Sequence, residues 1–260
     1  MAQRPHFLLT NDDGICSHFL GALAHALAER GRVSIVAPAF EQSWIGRAIT
    51  RHNHLEVTET NGLPGRAFAV SGTPTDCVNL ALAHLLADDP PDLVCSGINV
   101  GFNCSMPILL SSGTFAGAVE GAAWGKPAAA FSLAVAQAYY EARLSPESPL
   151  DELTAASLNA AAGHASNIAA ELASEASGRP AVVHNVNFPA NTTPETPIEA
   201  TQPMWVPAPG WFQPVEAARY AFEYPAHALN RQFSGDIGAV LGGKISHSRI
   251  DLSSWSDFNA

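Results

Sequence analysis

Charge is scarce in this chain, and basic charge is scarcest. Asp, Glu, Lys and Arg make up 14% of its 260 residues, and 13 Lys+Arg stand against 24 Asp+Glu, a net charge of −11 at pH 7. Phosphate neutralisation supplies most of the affinity for a nucleic-acid backbone, so a chain this acidic has no footprint for a polymeric nucleic acid. A single nucleotide, brought in with a divalent cation, is not excluded. Cysteine is equally sparse: four residues, at 16, 77, 95 and 104, none spaced as C-x-x-C. That excludes a disulfide scaffold, a zinc ribbon and a thioredoxin motif. Long apolar runs are missing too. None approaches the ~20 residues of a membrane span, and Phe7-Leu8-Leu9 breaks into Thr10-Asn11-Asp12-Asp13 too soon for the core of a signal peptide. These absences lead us to expect a cytoplasmic protein that engages no membrane. The 47% apolar content excludes intrinsic disorder.

What is present is alternation. Residues 7–10 read as a short strand. Leu20, Leu23, Ala24 and Leu27 then fall on one helical face, and Gly31 ends that helix. Residues 33–37 read as a second strand closed by Pro38; 55–58 and 67–70 as further strands; 75–87 as a helix; 92–95 as a strand; 114–124 as a helix rich in Ala and Gly; and 128–133 as a strand. Strand and helix alternating at this pace imply right-handed crossovers and a parallel sheet covered on both faces. The expected class is therefore α/β, a Rossmann-like doubly wound and mostly parallel sheet. A helix is expected from Ser148-Pro149 to about residue 176, followed by a strand over 181–187. Beyond Phe188 prolines are dense, which predicts extended hairpins and loops and no compact helical unit. The expected organisation is a catalytic domain over 1–190 and a C-terminal arm or hairpin region over 191–260. Its aromatic residues, Trp205, Trp211, Phe212, Tyr220, Phe222 and Tyr224, call for a surface to pack on, such as a partner subunit.

In a doubly wound sheet, ligands bind outside the carboxyl ends of the strands. Four consecutive strand ends here carry polar, glycine-bearing segments: Asn11-Asp12-Asp13-Gly14; Pro38 followed by Ser43 and Gly46; Ser71-Gly72-Thr73-Pro74-Thr75-Asp76; and Ser96-Gly97-Ile98-Asn99, with Gly101 and Asn103. No G-x-G-x-x-G follows the first strand, which disfavours a dinucleotide-binding domain. Adjacent carboxylates such as Asp12 and Asp13 repel, and a hard cation such as Mg²⁺, Mn²⁺ or Ca²⁺ relieves that repulsion; Ser43 and Asn99, presented on the same edge, favour this reading. An Asn-Asp-Asp-Gly turn with one Asp capping the next helix would read the same way in isolation. Ser111-Ser112-Gly113-Thr114 opens the Ala/Gly helix, where free N–H groups suit a phosphate; a plain Ser/Thr cap fits equally. A cation site and a phosphate cradle on one edge together suggest metal-assisted phosphoryl hydrolysis.

The chain resembles the SurE family of survival-protein nucleotidases. The resemblance rests on L-L-T-N-D-D-G-I (8–15), Ser43 with Gly46 and I-T (49–50), S-G-T-P-T-D-C-V (71–78), S-G-I-N-V-G-F-N (96–103), S-S-G-T-F-A-G-A-V-E-G-A (111–122) and N-V-N-F-P (185–189), all in family order. It implies a metal-dependent phosphomonoesterase of the 5′/3′-nucleotidase type, converting nucleoside monophosphates or related phosphomonoesters to an alcohol and phosphate. It implies one divalent cation on Asp12, Asp13, Ser43 and Asn99, and phosphate contacts from Asn99, Ser112, Gly113 and Thr114. The resemblance further implies a swapped C-terminal arm making a homodimer or homotetramer; the base is not part of the pattern, and an Asp at the first strand exit, Asp12 or Asp13, is expected to take the proton from water. The alternative is a catalytically weakened relative that binds nucleotide or metal without turnover.

Three segments depart from the family pattern. Ala39-Phe40 replaces Asp-Arg after the proline, Ser43-Trp44-Ile45-Gly46 replaces S-G-x-S, and Gly243-Lys244-Ile245-Ser246-His247-Ser248-Arg249-Ile250 replaces the usual C-terminal block. The rim candidates are Asn11, Trp44, Arg47 and Asn103. Arg47 either restores a positive charge near the phosphate or is a solvated loop residue. His52 and His54 would share one face of a strand as surface or rim residues, and His164 would be a helix-face residue.

Overall fold

A computed structural model describes residues 4–136, 139, 149–174, 181–207, 210–223 and 233–255. Among them a nine-stranded sheet runs β3-β4-β2-β1-β5-β6-β7-β11-β8. The strands are β1 (His6–Thr10), β2 (Arg32–Pro38), β3 (Val57–Thr60), β4 (Arg66–Val70), β5 (Leu93–Val100), β6 (Ala128–Leu133), β7 (Val182–Phe188), β8 (Ile198–Thr201) and β11 (Ile245–Asp251). Strands β4, β2, β1, β5, β6 and β7 are mutually parallel; β3 and β11 pair antiparallel at either side, and β8 pairs parallel with β11. The doubly wound α/β class expected from the sequence is observed. From β1 the chain winds outward through β2 to β4, then returns to place β5 on the other side of β1. Order therefore reverses between β1 and β5, and the crevice beyond their carboxyl ends is where such a sheet binds ligands.

Side chains alternate across the sheet because successive Cβ atoms point to opposite faces. Phe7, Leu9, Ile35, Phe131 and Phe188 pack with helices α1 (His18–Arg30) and α5 (Glu152–Ser174). Leu8, Val36, Val94 and Ala130 pack with α2 (Pro74–Leu80) and α4 (Gly113–Ala123), between which the chain forms the short α3 (Met106–Ser111). Phe7, Leu8 and Leu9 are fully buried, each contributing on the order of 2 kcal/mol relative to exposure. This two-sided burial holds the strand exits in place. Helix α1 buries Leu20, Leu23, Ala24 and Leu27, as its spacing predicts, and Ser17 caps it by accepting from the Phe19 N–H at 3.2 Å. Gly31 ends it in an extended conformation (φ −159°). Space explains the glycine here, since a Cβ would lie 2.2 Å from the Pro5 carbonyl oxygen.

Several boundaries differ from expectation. The helix expected over 75–87 is α-helical only over Pro74–Leu80 and widens to a π turn over Ala81–Leu85. Strand β5 does not stop at Cys95. It continues to Val100 with an irregular register between Ser96 and Asn99, so Asn99 sits on a strand and not in a loop. Beyond Phe188 the chain is not all hairpin and loop: helix α6 (Gly235–Leu241) forms there, and β8 and β11 extend the main sheet past residue 190. A separate hairpin, β9 (Phe212–Glu216) with β10 (Arg219–Phe222), is exposed throughout. The expected helix start at Ser148 and its end near 176, together with Tyr224, lie outside the described residues. No described helix is long and apolar enough to cross a membrane.

Candidate active site

The exit of β1 carries Asn11, Asp12 and Asp13, all buried. Asn11 fixes the turn by donating from Nδ2 to the Gly14 carbonyl at 3.0 Å. Each carboxylate then meets a different element. Asp12 Oδ1 accepts from the Thr114 hydroxyl at 2.5 Å, and Asp13 Oδ2 accepts from the Val100 N–H at 3.1 Å. Asp12 is thus tied to the start of α4 and Asp13 to the end of β5, one residue from Asn99. These contacts converge on the crevice where the strand order reverses.

The segment after β2 is drawn to the same place. Gln42 N–H donates to the Asp12 carbonyl at 2.7 Å, and Gly46 N–H donates to the Ser111 carbonyl at 2.9 Å. Residues 42–46, with Ser43 among them, therefore bridge from β1 to the start of α4. Farther along, Asp76 accepts from the Thr50 N–H and hydroxyl, and the Thr73 hydroxyl donates to the Ala48 carbonyl at 2.8 Å. Thr73 and Asp76 also form a reciprocal capping box at the start of α2. The Ser-Gly-Thr-Pro-Thr-Asp block is accordingly a helix cap that also anchors the Ser43 loop.

Helix α4 begins against Asp12. Ser112 caps it by accepting from the Phe115 N–H at 3.0 Å, while Gly113 and Thr114 are buried. A Cβ on Gly113 would stand 2.8 Å from Asp12 Cβ and 3.0 Å from the Gln42 carbonyl oxygen. Only glycine lets the helix start come this close to the carboxylate. The two readings of Ser112 are compatible: its side chain caps the helix, and the positive end of the helix dipole lies beside Asp12.

Burial pushes the Asp12 carboxyl up to about 6, with the negative charge of Glu41 adding to the push and Thr114 opposing it. Glu41 is a site residue that sequence reasoning missed. It accepts from the Ser43 hydroxyl at 2.8 Å, and a lone Glu in a polar loop gave no signal of that role. Among the described residues no group of three or more His, Cys, Asp or Glu side chains forms a metal-holding cluster. The donor set on offer is instead two carboxylates, a hydroxyl and an amide. Asn99 commits its Nδ2 to the Gly101 carbonyl at 2.8 Å, which keeps Oδ1 as the oxygen available to a cation. An all-oxygen set including two buried carboxylates fits a hard divalent ion.

Two rim candidates have other employment. Asn103 is 7% exposed. Its N–H donates to Asn187 Oδ1 at 2.6 Å, its Nδ2 to Ser132 Oγ at 3.0 Å, and its carbonyl accepts from Asn185 and Asn187. It is a buried knot tying the segment after β5 to β6 and β7, which also explains the Asn-Val-Asn-Phe-Pro block. Arg47 is not merely a solvated loop residue: it pairs with buried Glu120 of α4, which also accepts from Asn79 Nδ2 at 2.8 Å and Trp124 Nε1 at 3.0 Å. His52 and His54 are exposed and precede β3 instead of lying in it, and His164 meets the Thr193 carbonyl from α5. Buried Asp236, also missed, gathers the backbone N–H groups of Ser105, Met204 and Ile237.

Trp44 occupies the left-handed region at φ 62°. That is a genuine outlier for a bulky residue, and such strain costs about 1–3 kcal/mol. Its ring packs against Trp211, which directly precedes β9, and Phe222 of β10, with centroids 5.3 and 5.0 Å away.

Known proteins resemble this chain in sequence and in fold. The family described as Survival protein SurE matches residues 7–206. A protein of Methanocella arvoryzae named 5′-nucleotidase SurE is 39% identical over 199 residues, covering 75% of this chain and 71% of that one. One of the same name from Moorella thermoacetica is 51% identical over 129 residues, about half of each chain (49% and 49%). The crystal structure of the SurE protein from Aquifex aeolicus superposes with a TM-score of 0.74 at 28% identity and covers 96% of both chains.

Proposed function

Because this chain belongs to the SurE family, we propose that it is a nucleotidase, hydrolysing nucleoside monophosphates to nucleoside and inorganic phosphate with one divalent cation. The observation that carries this reading is the meeting of Asp12, Asp13, the Ser43 loop and the first turn of α4 at the crevice between β1 and β5.

Asp12, Asp13, Ser43 and Asn99 would hold the ion. When bound, such an ion polarises a phosphoryl oxygen and lowers the pKa of water. The N–H groups of Gly113 and Thr114 stand at the positive end of α4, suited to the remaining phosphoryl oxygens. Thr114 donates its hydroxyl proton to Asp12 and so fixes that carboxylate's orientation. Asp12 or Asp13 accepts the proton from the attacking water. The new P–O bond forms as the ester P–O bond breaks, and the proton taken from water passes on to the departing sugar oxygen, leaving nucleoside and phosphate.

The same reading includes further proposals. The apolar side chains exposed on the hairpin, Phe212, Val215, Tyr220 and Phe222, support a homodimer or homotetramer built through the region that includes β9 and β10. The acidic balance and four free cysteines support a cytoplasmic protein with no polymeric nucleic-acid partner. The second reading, nucleotide or metal binding without turnover, is favoured by one observation: the Ser43 hydroxyl is engaged by Glu41.

Phosphate release from a panel of nucleoside monophosphates with Mn²⁺ or Mg²⁺ separates the two readings. The nucleotidase turns over, stops on adding EDTA, and loses most activity in D12N. Saturable nucleotide binding with no phosphate release in any metal establishes the second reading.

A further inference from the structure

We propose that Trp44, with Trp211 and Phe222, forms a stacking platform for the flat ring of the substrate's leaving group, so that the enzyme favours nucleoside monophosphates over phosphomonoesters of aliphatic alcohols. The proposal rests on the nucleotidase reading and names the part of that site which selects the substrate.

Three observations carry it. The first is position. Gln42 is tied to Asp12 and Gly46 to Ser111, so the backbone of Trp44 is two residues from each anchor, between the carboxylates and the start of α4. Two residues span at most ~7 Å, which puts Trp44 at the mouth of the phosphate cradle. The second is backbone. Trp44 holds φ 62°, a conformation suited to glycine. A large aromatic residue kept in the left-handed region at a cost of about 1–3 kcal/mol points to a function for the ring.

The third is surroundings. Trp211 and Phe222 lie nearly parallel, with an interplanar angle of 18° and centroids 6.2 Å apart, and Trp44 tilts against both. The hairpin therefore holds the Trp44 ring in one orientation while 43% of the residue stays exposed. On the other flank of Ser43, Phe40 is 79% exposed. The rim of the cradle is thus aromatic on both sides of the serine. Stacking on an aromatic face tolerates any base, since every base has a π-face. The expected selectivity is accordingly for a ring over no ring and not for one base over another.

The test compares the full-length protein with W44G, W44F and W211A. W44G removes the ring and the strain together, W44F keeps a ring, and W211A attacks the platform from the hairpin and leaves the Ser43 loop intact. Phosphate release with Mn²⁺ is measured for adenosine 5′-monophosphate and for glycerol 2-phosphate. The nucleotide-to-glycerol-phosphate ratio of kcat/KM is expected to fall about five- to a hundredfold in W44G, mainly through KM. It should fall less in W211A and stay near wild type in W44F. A ratio unmoved in W44G overturns the platform. Quenching of tryptophan emission by adenosine, which has no phosphate, reads the platform without turnover. If neither substrate is hydrolysed but adenosine quenches wild type and not W44G, the nucleotidase reading fails and the platform stands. If adenosine does not quench wild type, the platform fails whatever the activity.

Discussion

Replacing Gly113 by alanine sets helix propensity against site geometry. Alanine is the better helix former, by at most about 1 kcal/mol in a helix interior, so G113A would be mildly stabilising if α4 stood alone. In the folded chain the added methyl would lie 2.8 Å from Asp12 Cβ, 2.9 Å from Asp12 Oδ2 and 3.0 Å from the Gln42 carbonyl oxygen. Ordinary carbon contacts begin near 3.5 Å, so the start of α4, the β1 exit or the Ser43 loop must yield by several tenths of an ångström. None yields easily. Asp12 is buried and bonded to Thr114, and Gln42 is bonded to the Asp12 carbonyl. Overpacking of this kind costs about 1–3 kcal/mol. The net change is a loss of roughly 0–3 kcal/mol, which lowers the Tm by no more than about 12 °C at this size. Activity should respond far more, because a misplacement of about 1 Å at reacting groups costs on the order of a hundredfold. Thermal unfolding followed by circular dichroism gives the first quantity, and phosphate release under saturating Mn²⁺ gives the second. A G113A protein with raised Tm and undiminished kcat/KM would refute the claim that α4 must approach Asp12 this closely.

Further outcomes follow from other contacts. Among the described residues, R47A leaves buried Glu120 with Asn79 and Trp124 as partners; because Arg47 is itself half-exposed, the loss should be about 1–3 kcal/mol, read as a lower midpoint in urea, and R47K should recover part of it. His184 and His247 meet at 2.9 Å across β7 and β11. Burial, with the neighbouring His247 and Arg249, holds His184 down to about 4, and burial lowers His247 against the pull of Glu171. The unfolded chain then binds protons below about pH 6.5 that the folded chain refuses, so stability is full above that pH and falls as pH drops from 6.5 towards 4. After allowing for the partial exposure of the rings, the pair accounts for about 1–2 kcal/mol of that fall. An H184Q/H247Q protein should show a shallower decline between pH 7 and 5 in urea titrations, and an unchanged slope would count against the assignment. V215D/Y220D places charge on the exposed face of the hairpin and should shift the assembly towards monomer in light scattering; an unaltered mass would exclude that face from the interface.

The parallel sheet and its two covering layers were legible because hydrophobic periodicity is a local signal. The burial of Leu20, Leu23, Ala24 and Leu27 follows from spacing alone. The polar strand ends were legible for the same reason, as short glycine-bearing segments after apolar runs. What escaped depends on contacts distant in sequence. Asn103 looked like a rim residue because it follows a strand end. Asn185 and Asn187, more than 80 residues later, draw it into the interior. Arg47 could not be placed until Glu120 was seen to be buried beside it. The proline-rich tail was read by composition. Its return to the sheet as β11 depends on a pairing with β7 that leaves no local trace. The strained backbone of Trp44 was likewise invisible, although the departure from glycine at that place marked the position.

The most direct test of the account is the anomalous difference density of a crystal of the full-length protein loaded with Mn²⁺. The account predicts one peak per chain in the crevice between β1 and β5, within coordination distance of oxygens from Asp12, Asp13, Ser43 and Asn99. A fully loaded crystal with its peak elsewhere, for instance between His184 and His247, and none at that crevice would contradict it.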